Sequence, residues 1–386
     1  MSKFLFRDIV IDSRTGLNPR QNFKHGTGEN YYITIKDIHN GRIEITNKTD
    51  RIDDDAVAKI KKRSRIKNGD ILFTSIGRIG ETAIVYDKND TWEVNESIFI
   101  FTLNKEIIDA KYFCMLMQSD ELQDKLTKDS SGSTFKSIKM NQLERMTFNI
   151  PPLETQRQIA ANLDKVTHTI DLCNNILEKL DLLVKSRFVE MFGGLERSTT
   201  IARYISELRG GKSLAGTEPC KNKVLKTGAA TFGWFDPEQY KYLPTDYEPL
   251  PEHKVETGDV IISRMNTPEL VGACSYVFDA PEDMYYPDRL WKAVLKENTN
   301  PIFLWQLLWD RDIRKAIKES SGGTSGTMHN ISKANLLAIK CMDAPIELQN
   351  EYAEFVKQTD KSKSAVKKVL EKAETLKKAL MQKYFG

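Results

Sequence analysis

Residues 151–193 read PPLETQRQIAANLDKVTHTIDLCNNILEKLDLLVKSRFVEMFG, and residues 344–386 read APIELQNEYAEFVKQTDKSKSAVKKVLEKAETLKKALMQKYFG. The two stretches align without a gap at an offset of 193, which is 345 minus 152. Pro152, Glu154 and Gln156 fall on Pro345, Glu347 and Gln349. At the same offset Leu177-Glu178-Lys179 meets Leu370-Glu371-Lys372, and Phe192-Gly193 meets Phe385-Gly386. A repeat of such long period sets the architecture before any local reading does. The 386 residues are 193 taken twice.

Each stretch predicts one long helix. A proline near the first turn with a glutamate behind it marks a helix start, and Gly193 and Gly386 stand at natural stops. About 40 residues at about 1.5 Å each make a rod of roughly 60 Å, far beyond an average globular helix. In the first, Ile159, Leu163, Val166, Ile170, Cys173, Leu177, Leu180 and Val184 alternate four and three apart. That is the apolar seam of a coiled coil. In the second, Tyr352, Phe355, Val366, Val369, Leu376 and Leu380 keep the rhythm, with Thr359, Ser362 and Ala373 filling between them. A dimerisation stalk and a pairing of the two helices within one molecule both satisfy these heptads. The globular stretch between them favours the second.

Upstream of each helix the repeat continues more loosely. Asn68-Gly69-Asp70-Ile71-Leu72 matches Thr257-Gly258-Asp259-Val260-Ile261, and Ser130-Ser131-Gly132-Ser133-Thr134 matches Ser320-Ser321-Gly322-Gly323-Thr324. Tyr32–Ile35 and Val224–Thr227 read as corresponding early strands. Residues 1–150 and 194–343 are thus two mixed α/β units, and 151–193 and 344–386 the helices. The fold class is α+β. In the first unit, Gly69-Asp70 turns into an apolar strand and Gly77-Arg78-Ile79-Gly80 is a tight turn. Thr82–Tyr86 returns, Ile98–Phe101 is a further strand, and a helix covers Ala110 to Leu126. The second unit repeats this with Val260–Ser263, Gly272–Phe278 and a helix from Phe303 to Ile317.

Candidate contacts to a polyanion lie in both units. Lys59, Lys61, Lys62, Arg63, Arg65 and Lys67 cluster just after the acidic run Asp53–Asp55. Such a cluster is either a solvated helix face or a set of phosphate contacts. Arg78, on the glycine turn, is the better candidate for a base, because arginine reads guanine with two hydrogen bonds. Arg264 and Asn266 occupy the comparable loop of the second unit. Lys136 follows the first Ser/Gly/Thr stretch, and His329 and Asn330 follow the second.

Other classes find little support. Net charge is +3, with 40% hydrophobic and 29% charged residues, so the chain has material for real cores and only a mild basic bias. No run of about 18 apolar residues predicts a membrane span. The opening Met1-Ser2-Lys3-Phe4-Leu5-Phe6 lacks the apolar core of a signal peptide. The five cysteines are scattered without a C-x-x-C, which speaks for a reducing cytoplasm and against a zinc ribbon. Gly210-Gly211-Lys212-Ser213 ends like a phosphate loop, but Ser206 stands where its first glycine is needed. No dinucleotide-type glycine motif follows a strand, and no cofactor or metal is expected. Asn149-Ile150-Pro151-Pro152 approximates the Asn-Pro-Pro-aromatic loop of amino-methyltransferases. The extra Ile150 and the aliphatic Leu153 make it a strand end followed by a helix start. Asp246, Glu252 and Lys254 imitate a nuclease triad only within a proline-rich irregular loop.

The duplicated order as a whole resembles the specificity subunits of Type I restriction–modification systems, over nearly the full length. The strongest markers are Pro151-Pro152-Leu153-Glu154-x-Gln156 and Ala344-Pro345-Ile346-Glu347-x-Gln349 opening the two helices, joined by the paired Gly-Asp strands and Ser/Gly/Thr stretches. Ala344 replaces the first proline in the second copy. The resemblance implies two target recognition domains, each reading one half of a bipartite gapped site in double-stranded DNA. The helices would form an antiparallel coiled-coil spacer with a pseudo-two-fold axis. They would dock two modification subunits, which methylate adenine, and through them restriction subunits that cut and translocate. Catalysis would then belong to the partners and not to this chain. A two-headed coiled-coil scaffold that ignores DNA is the competing reading, and a self-sufficient methyltransferase or nuclease a third.

Overall fold

Both repeated stretches are single helices, Leu153–Phe192 and Ile346–Phe385. They are seen in a computed structural model that describes residues 2–20, 22–39, 41–130, 136–325 and 327–386. Pro152 and Pro345 stand just outside the first turn, where their carbonyls accept from Gln156 N (3.0 Å) and Gln349 N (3.1 Å). The repeated glutamines are buried pins. Gln156 Oε1 accepts from Asp109 N at 2.8 Å, and its Nε2 donates to the carbonyls of Ile107 and Pro151, each at 2.8 Å. Gln349 does the same with Asn300 N (2.9 Å), Asn298 O (3.4 Å) and Ala344 O (2.7 Å). Asp109 and Asn300 in turn cap the helices Ala110–Met117 and Pro301–Leu308. One buried amide thus satisfies three backbone groups, one of them buried and two half-buried, and ties a long helix to a short one, which is why the residue recurs.

The chain divides into two compact units, Met1–Asn174 with Lys368–Gly386, and Asn175–Lys367. Each takes half of both long helices, and within each the halves run antiparallel. In unit 1, Asn162 Nδ2 donates to Tyr384 OH at 3.4 Å. Ile159, Ala160 and Leu163 share a core there with Phe385 and Leu380. In unit 2, Arg187 pairs with Glu351 at 3.0 Å, Tyr352 OH donates to Val184 O at 3.3 Å, and Lys363 reaches the Asp181 carboxylate. Both Phe-Gly ends plug a core. Phe192 packs on Phe303 at 4.8 Å and Tyr352 at 5.5 Å, and Phe385 on Tyr112 at 5.3 Å. Each such buried ring contributes about 1.5–3 kcal/mol.

The seam of the first helix contains Ile159, Leu163, Val166, Ile170, Cys173, Leu177, Leu180 and Val184, all buried or half-buried, and continues to Phe188. The second differs from expectation. Val369 and Leu376 are 50% and 49% exposed, and Ser362 is exposed. The sheltered positions run Tyr352, Val356, Thr359, Lys363, Val366, Leu370, Ala373, Lys377 and Leu380. Two of these are lysines, whose aliphatic stems cover apolar surface while the ammonium reaches water or a carboxylate. A pattern that counts only apolar letters misses them and selects neighbours one position away. Phe355 is half-buried against the core of unit 2.

Each unit is built on the same sheet. In unit 1 the antiparallel order is Val10–Thr15, Ile98–Leu103, Ile71–Thr74, Thr82–Ile84. In unit 2 it is Ile205–Gly210, Leu290–Leu295, Val260–Ser263, Cys274–Tyr276. The Gly-Asp pair before the third strand of each order is a turn lock. Gly69 and Gly258 have φ of +89° and +98°. Asp70 accepts from Lys67 N (2.8 Å), Arg14 Nη2 (2.9 Å) and Thr102 Oγ1 (2.6 Å). Asp259 accepts from Glu256 N (2.8 Å) and Tyr286 OH (3.0 Å) and pairs with Lys292 (2.9 Å). Burial, with Asp259 beside it, raises the Tyr286 phenol well above its ordinary pKa.

The single helix expected after each sheet is broken in two. Ala110–Met117 is followed by Asp120–Asp129, with Ser119 capping the second piece. Pro301–Leu308 is followed by Arg311–Ser320, capped by Asp310. A capping side chain that bonds the next turn's amides restarts the helix in a new direction.

Candidate nucleic-acid interface

In unit 2 the sheet strand Val260–Ser263 runs on through Arg264 into a small second sheet. There Met265–Asn266 pairs antiparallel with Met328–Asn330, placing Met265 opposite Asn330 and Asn266 opposite His329. Gly322–Ser325 completes it. The structure therefore brings Arg264, Asn266, His329 and Asn330 together from positions more than 60 residues apart. Arg264 Nε donates to Asn330 Oδ1 at 3.2 Å, and the guanidinium lies 6.0 Å from the Trp291 ring centre. Among the described residues its Nη amines have no hydrogen-bond acceptor. Asn266 Nδ2 donates to Thr231 Oγ1 at 3.3 Å, and His329 Nδ1 is 3.0 Å from Ser321 Oγ. Arg264 and Asn330 line an open cleft of about 460 Å³ with Trp291, Ser320, Lys333 and Asn335. Cations beside amides that both donate and accept are the groups that read base edges and phosphates.

Unit 1 repeats the backbone of this site with other side chains. Ile138 N donates to Ser75 O at 2.9 Å, as Ile331 N does to Arg264 O at 3.1 Å. Ile76 and Ser137 form an antiparallel bridge where Met265 and Asn330 pair. Gly77 N donates to Lys136 O at 3.1 Å. Ser75, Gly77, Lys136 and Ser137 thus stand in the places of Arg264, Asn266, His329 and Asn330. Of these four, Gly77 and Lys136 line a cleft of about 420 Å³ with Arg78, Glu81, Gln118, Gln123 and Thr127, whereas in unit 2 it is Arg264 and Asn330 that line the cleft. Lys136 is exposed.

Arg78, expected to face a base, is engaged by the protein itself. Its Nη2 donates to the carbonyls of Ile35 (3.1 Å) and Ile38 (3.2 Å). Its Nη1 meets His39 Nδ1 (2.8 Å) and Glu81 (3.3 Å). It clamps the glycine turn to the neighbouring loop. The basic cluster lies elsewhere again. Lys59, Lys61, Lys62 and Arg63 are on the helix Asp54–Ser64, whose acidic start and basic end suit the helix dipole. Lys61 pairs with Asp90 at 2.7 Å and holds that carboxyl below its ordinary pKa. Arg63 Nε donates to Thr15 Oγ1 at 3.1 Å, and Arg65, the left-handed C-cap, lies 3.8 Å from Asp12. None of these residues lines either cleft.

Residues 131–134 of the first Ser/Gly/Thr stretch lie outside the described residues. The sequence reading missed Trp291, Lys333 and Asn335 in unit 2 and Gln118, Gln123 and Thr127 in unit 1. Gln123 and Thr127 are four apart on one helix and Lys333 and Asn335 follow Asn330 closely, but nothing in their types sets them apart from ordinary surface residues. Gly210 ends a strand and Gly211-Lys212-Ser213 follows it, with Ser213 bonded to Asp288. Among the described residues no group of three or more His, Cys, Asp or Glu is placed to hold a metal, and no helix is long and apolar enough to cross a membrane.

Comparison with known proteins follows the same lines. Residues 7–182 match the family described as Type I restriction modification DNA specificity domain. The EcoKI specificity subunit of Escherichia coli (strain K12) is 22% identical over 385 residues, covering 92% of this chain and 81% of that protein. The putative MjaX specificity subunit of Methanocaldococcus jannaschii is 27% identical over 402 residues, covering 97% and 90%. The S subunit of a Type I restriction–modification system from M. genitalium has the same fold, with a TM-score of 0.61 at 15% identity. That match covers all of this chain and 96% of the other.

Proposed function

Because the chain belongs to the family of Type I restriction–modification specificity subunits, we propose that its two clefts read the two halves of a bipartite, gapped DNA site. It is the DNA specificity subunit of such a system, a non-catalytic member of the restriction–modification complex. Residues 1–150 and 194–343 act as the target recognition domains, and 151–193 and 344–386 as the spacer. The observation that carries this reading is the duplicated site. Ser75 O with Ile138 N, and Arg264 O with Ile331 N, fix the same backbone around different side chains. A common scaffold presents either set equivalently to a duplex, and the differing side chains make the half-sites non-palindromic.

In this reading Arg264, Asn266, His329 and Asn330 contact base edges in one half-site, and Lys136 sits over a phosphate of the other. Arg78 holds its turn in place, and Lys61, Lys62, Arg63 and Arg65 supply outlying phosphate contacts. Bound this way, the chain directs adenine methylation and cleavage by partner subunits. Methylome sequencing of a host carrying this chain and its modification subunit tests the proposal. The expected result is a gapped, two-part adenine-methylated motif; a continuous or absent motif sinks it. Adding one heptad to both long helices should keep both half-sites and change only the gap.

Modification subunits have a surface to dock on. In unit 2, Leu182, Leu183 and Val189 of the first helix are exposed, and in unit 1 so are Leu172, Val369 and Leu376. Apolar residues on the outer face of a paired helix are otherwise unaccounted for. Leu182→Glu with Val189→Glu should abolish co-purification with the modification subunit while leaving the melting temperature of the chain unchanged.

A further inference from the structure

Unit 2 displays two aromatic side chains that its own core does not use. Phe232 and Trp234 are 62% and 59% exposed, and their rings stack at 5.6 Å with an interplanar angle of 28°. Between them Gly233 takes a φ of +87°, a conformation that suits glycine and turns the chain so that both rings share one side. The turn is held from beneath. Its glycine sits on the indole of Trp309, whose Nε1 donates to Cys274 O at 2.9 Å, and the Arg314 guanidinium lies 5.1 Å from the same ring centre. Phe235 anchors the far side in the small core around Leu225 and Val277. On the near side, Thr231 Oγ1 accepts from Asn266 Nδ2 at 3.3 Å. The turn that carries the exposed pair is therefore held on both sides, and its neighbour Thr231 is one hydrogen bond from Asn266.

Unit 1 reaches a glycine at the corresponding place by a similar course and with different chemistry. The strands Asn30–Ile33 and Lys223–Leu225 each have a parallel neighbour and each lead into a short 3₁₀ turn, Ile35–Asp37 and Thr227–Ala230. Each then reaches a glycine of positive φ, Gly41 at +79° and Gly233 at +87°. The residue after that glycine is Arg42 in unit 1, 3.4 Å from Asp171, and Trp234 in unit 2. In unit 1 this glycine belongs to a hairpin of Ile38–His39 with Arg42–Ile43, and in unit 2 it carries the aromatic pair without one.

We propose that Phe232 and Trp234 form a wedge that stacks on bases of the half-site read by unit 2 and unstacks one base step there, with no counterpart in unit 1. The inference rests on the reading of the clefts as DNA sites. A duplex offers π-faces next to phosphates and base edges. The wall of unit 2 offers exposed, pre-oriented rings next to Asn266 and, in the cleft beyond it, the cations Arg264 and Lys333. Rings fixed by the fold lose little freedom on insertion, so a wedge of this kind does not need a conformational change of the protein.

The test uses the full chain co-purified with its modification subunit. The probe is a duplex bearing its methylated motif, with 2-aminopurine placed in turn at each position. The unit 2 half-site is the one whose preference changes in Arg264→Ala. The wild-type complex should brighten 2-aminopurine at one step of that half-site, apart from the adenine that is methylated, and at no such step of the other. In Phe232→Ala/Trp234→Ala the brightening should vanish and affinity fall on the order of tenfold to a hundredfold. The slope of log affinity against log salt should stay as it was, because no cation is removed. Phe232→Tyr and Trp234→Phe should keep the signal. Wild-type brightening and affinity in the double alanine variant overturn the wedge. So does failure of that variant to co-purify with the modification subunit without DNA, which would show that the rings cover a protein. A wild-type complex with no sequence-preferring binding at all removes the cleft reading first, and the wedge with it.

Discussion

Where Ile331 N meets Arg264 O in unit 2, Ile138 N meets Ser75 O in unit 1, and the strands around these bonds follow the same course. Where unit 2 then presents Arg264, Asn266, His329 and Asn330, unit 1 presents Ser75, Gly77, Lys136 and Ser137. The buried parts of the two copies have stayed alike. Gln156 and Gln349 make the same three bonds, and Asp70 and Asp259 lock the same turn through the same backbone amide, three residues back, with different side-chain partners. The difference teaches which positions the fold constrains. A buried amide must satisfy the backbone groups that surround it, and those groups are fixed by topology. A cleft side chain answers only to what enters the cleft.

The sharpest way to break this comparison is at the pins. Gln156→Leu and Gln349→Leu each leave one buried and two half-buried backbone groups without a partner, so each should cost about 2–3 kcal/mol in denaturant unfolding. The two losses should be similar, and a large loss in one copy with none in the other would end the equivalence of the units. Next comes Arg264→Ala. It should weaken discrimination by about 1–3 kcal/mol at a position in one half-site and leave the other untouched, as read by methylome sequencing or competition binding. Lys136→Ala should act differently, weakening binding to all sequences alike and lowering the salt slope by about one. The smallest effect is expected at Val369→Gln and Leu376→Gln, within about 0.5 kcal/mol of the parent in thermal melts. Leu370→Gln, one position away and sheltered, should cost more than either.

Much of the fold was legible because helical periodicity and internal repeats are properties of neighbouring letters. The offset of 193, the two 40-residue helices and the Gly-Asp strands could be read directly. The second seam was read imperfectly, because Lys363 and Lys377 shelter their stems without looking apolar. The breaks at Ser119 and Asp310 were missed since each continues an apolar rhythm while changing direction. Arg264, Asn266, His329 and Asn330 were named one by one as candidates, and the strand pairing that brings them together was hidden. Arg78 looked free because its partners, the carbonyls of Ile35 and Ile38, belong to a loop about 40 residues upstream.

The sequence by itself thus determined that this protein is one unit made twice, joined by long helices, and that its first helix carries an apolar seam. Tertiary structure decided which face of the second helix is sheltered, that Arg78 clamps a turn, and that the Lys61–Arg65 group stands apart from the clefts. It also decided that Phe232 and Trp234 are left in the open. The reason is physical. Periodicity records what each residue does along its own element. A guanidinium or an indole takes its role from whichever acceptors, rings and voids the rest of the chain brings within a few ångströms of it.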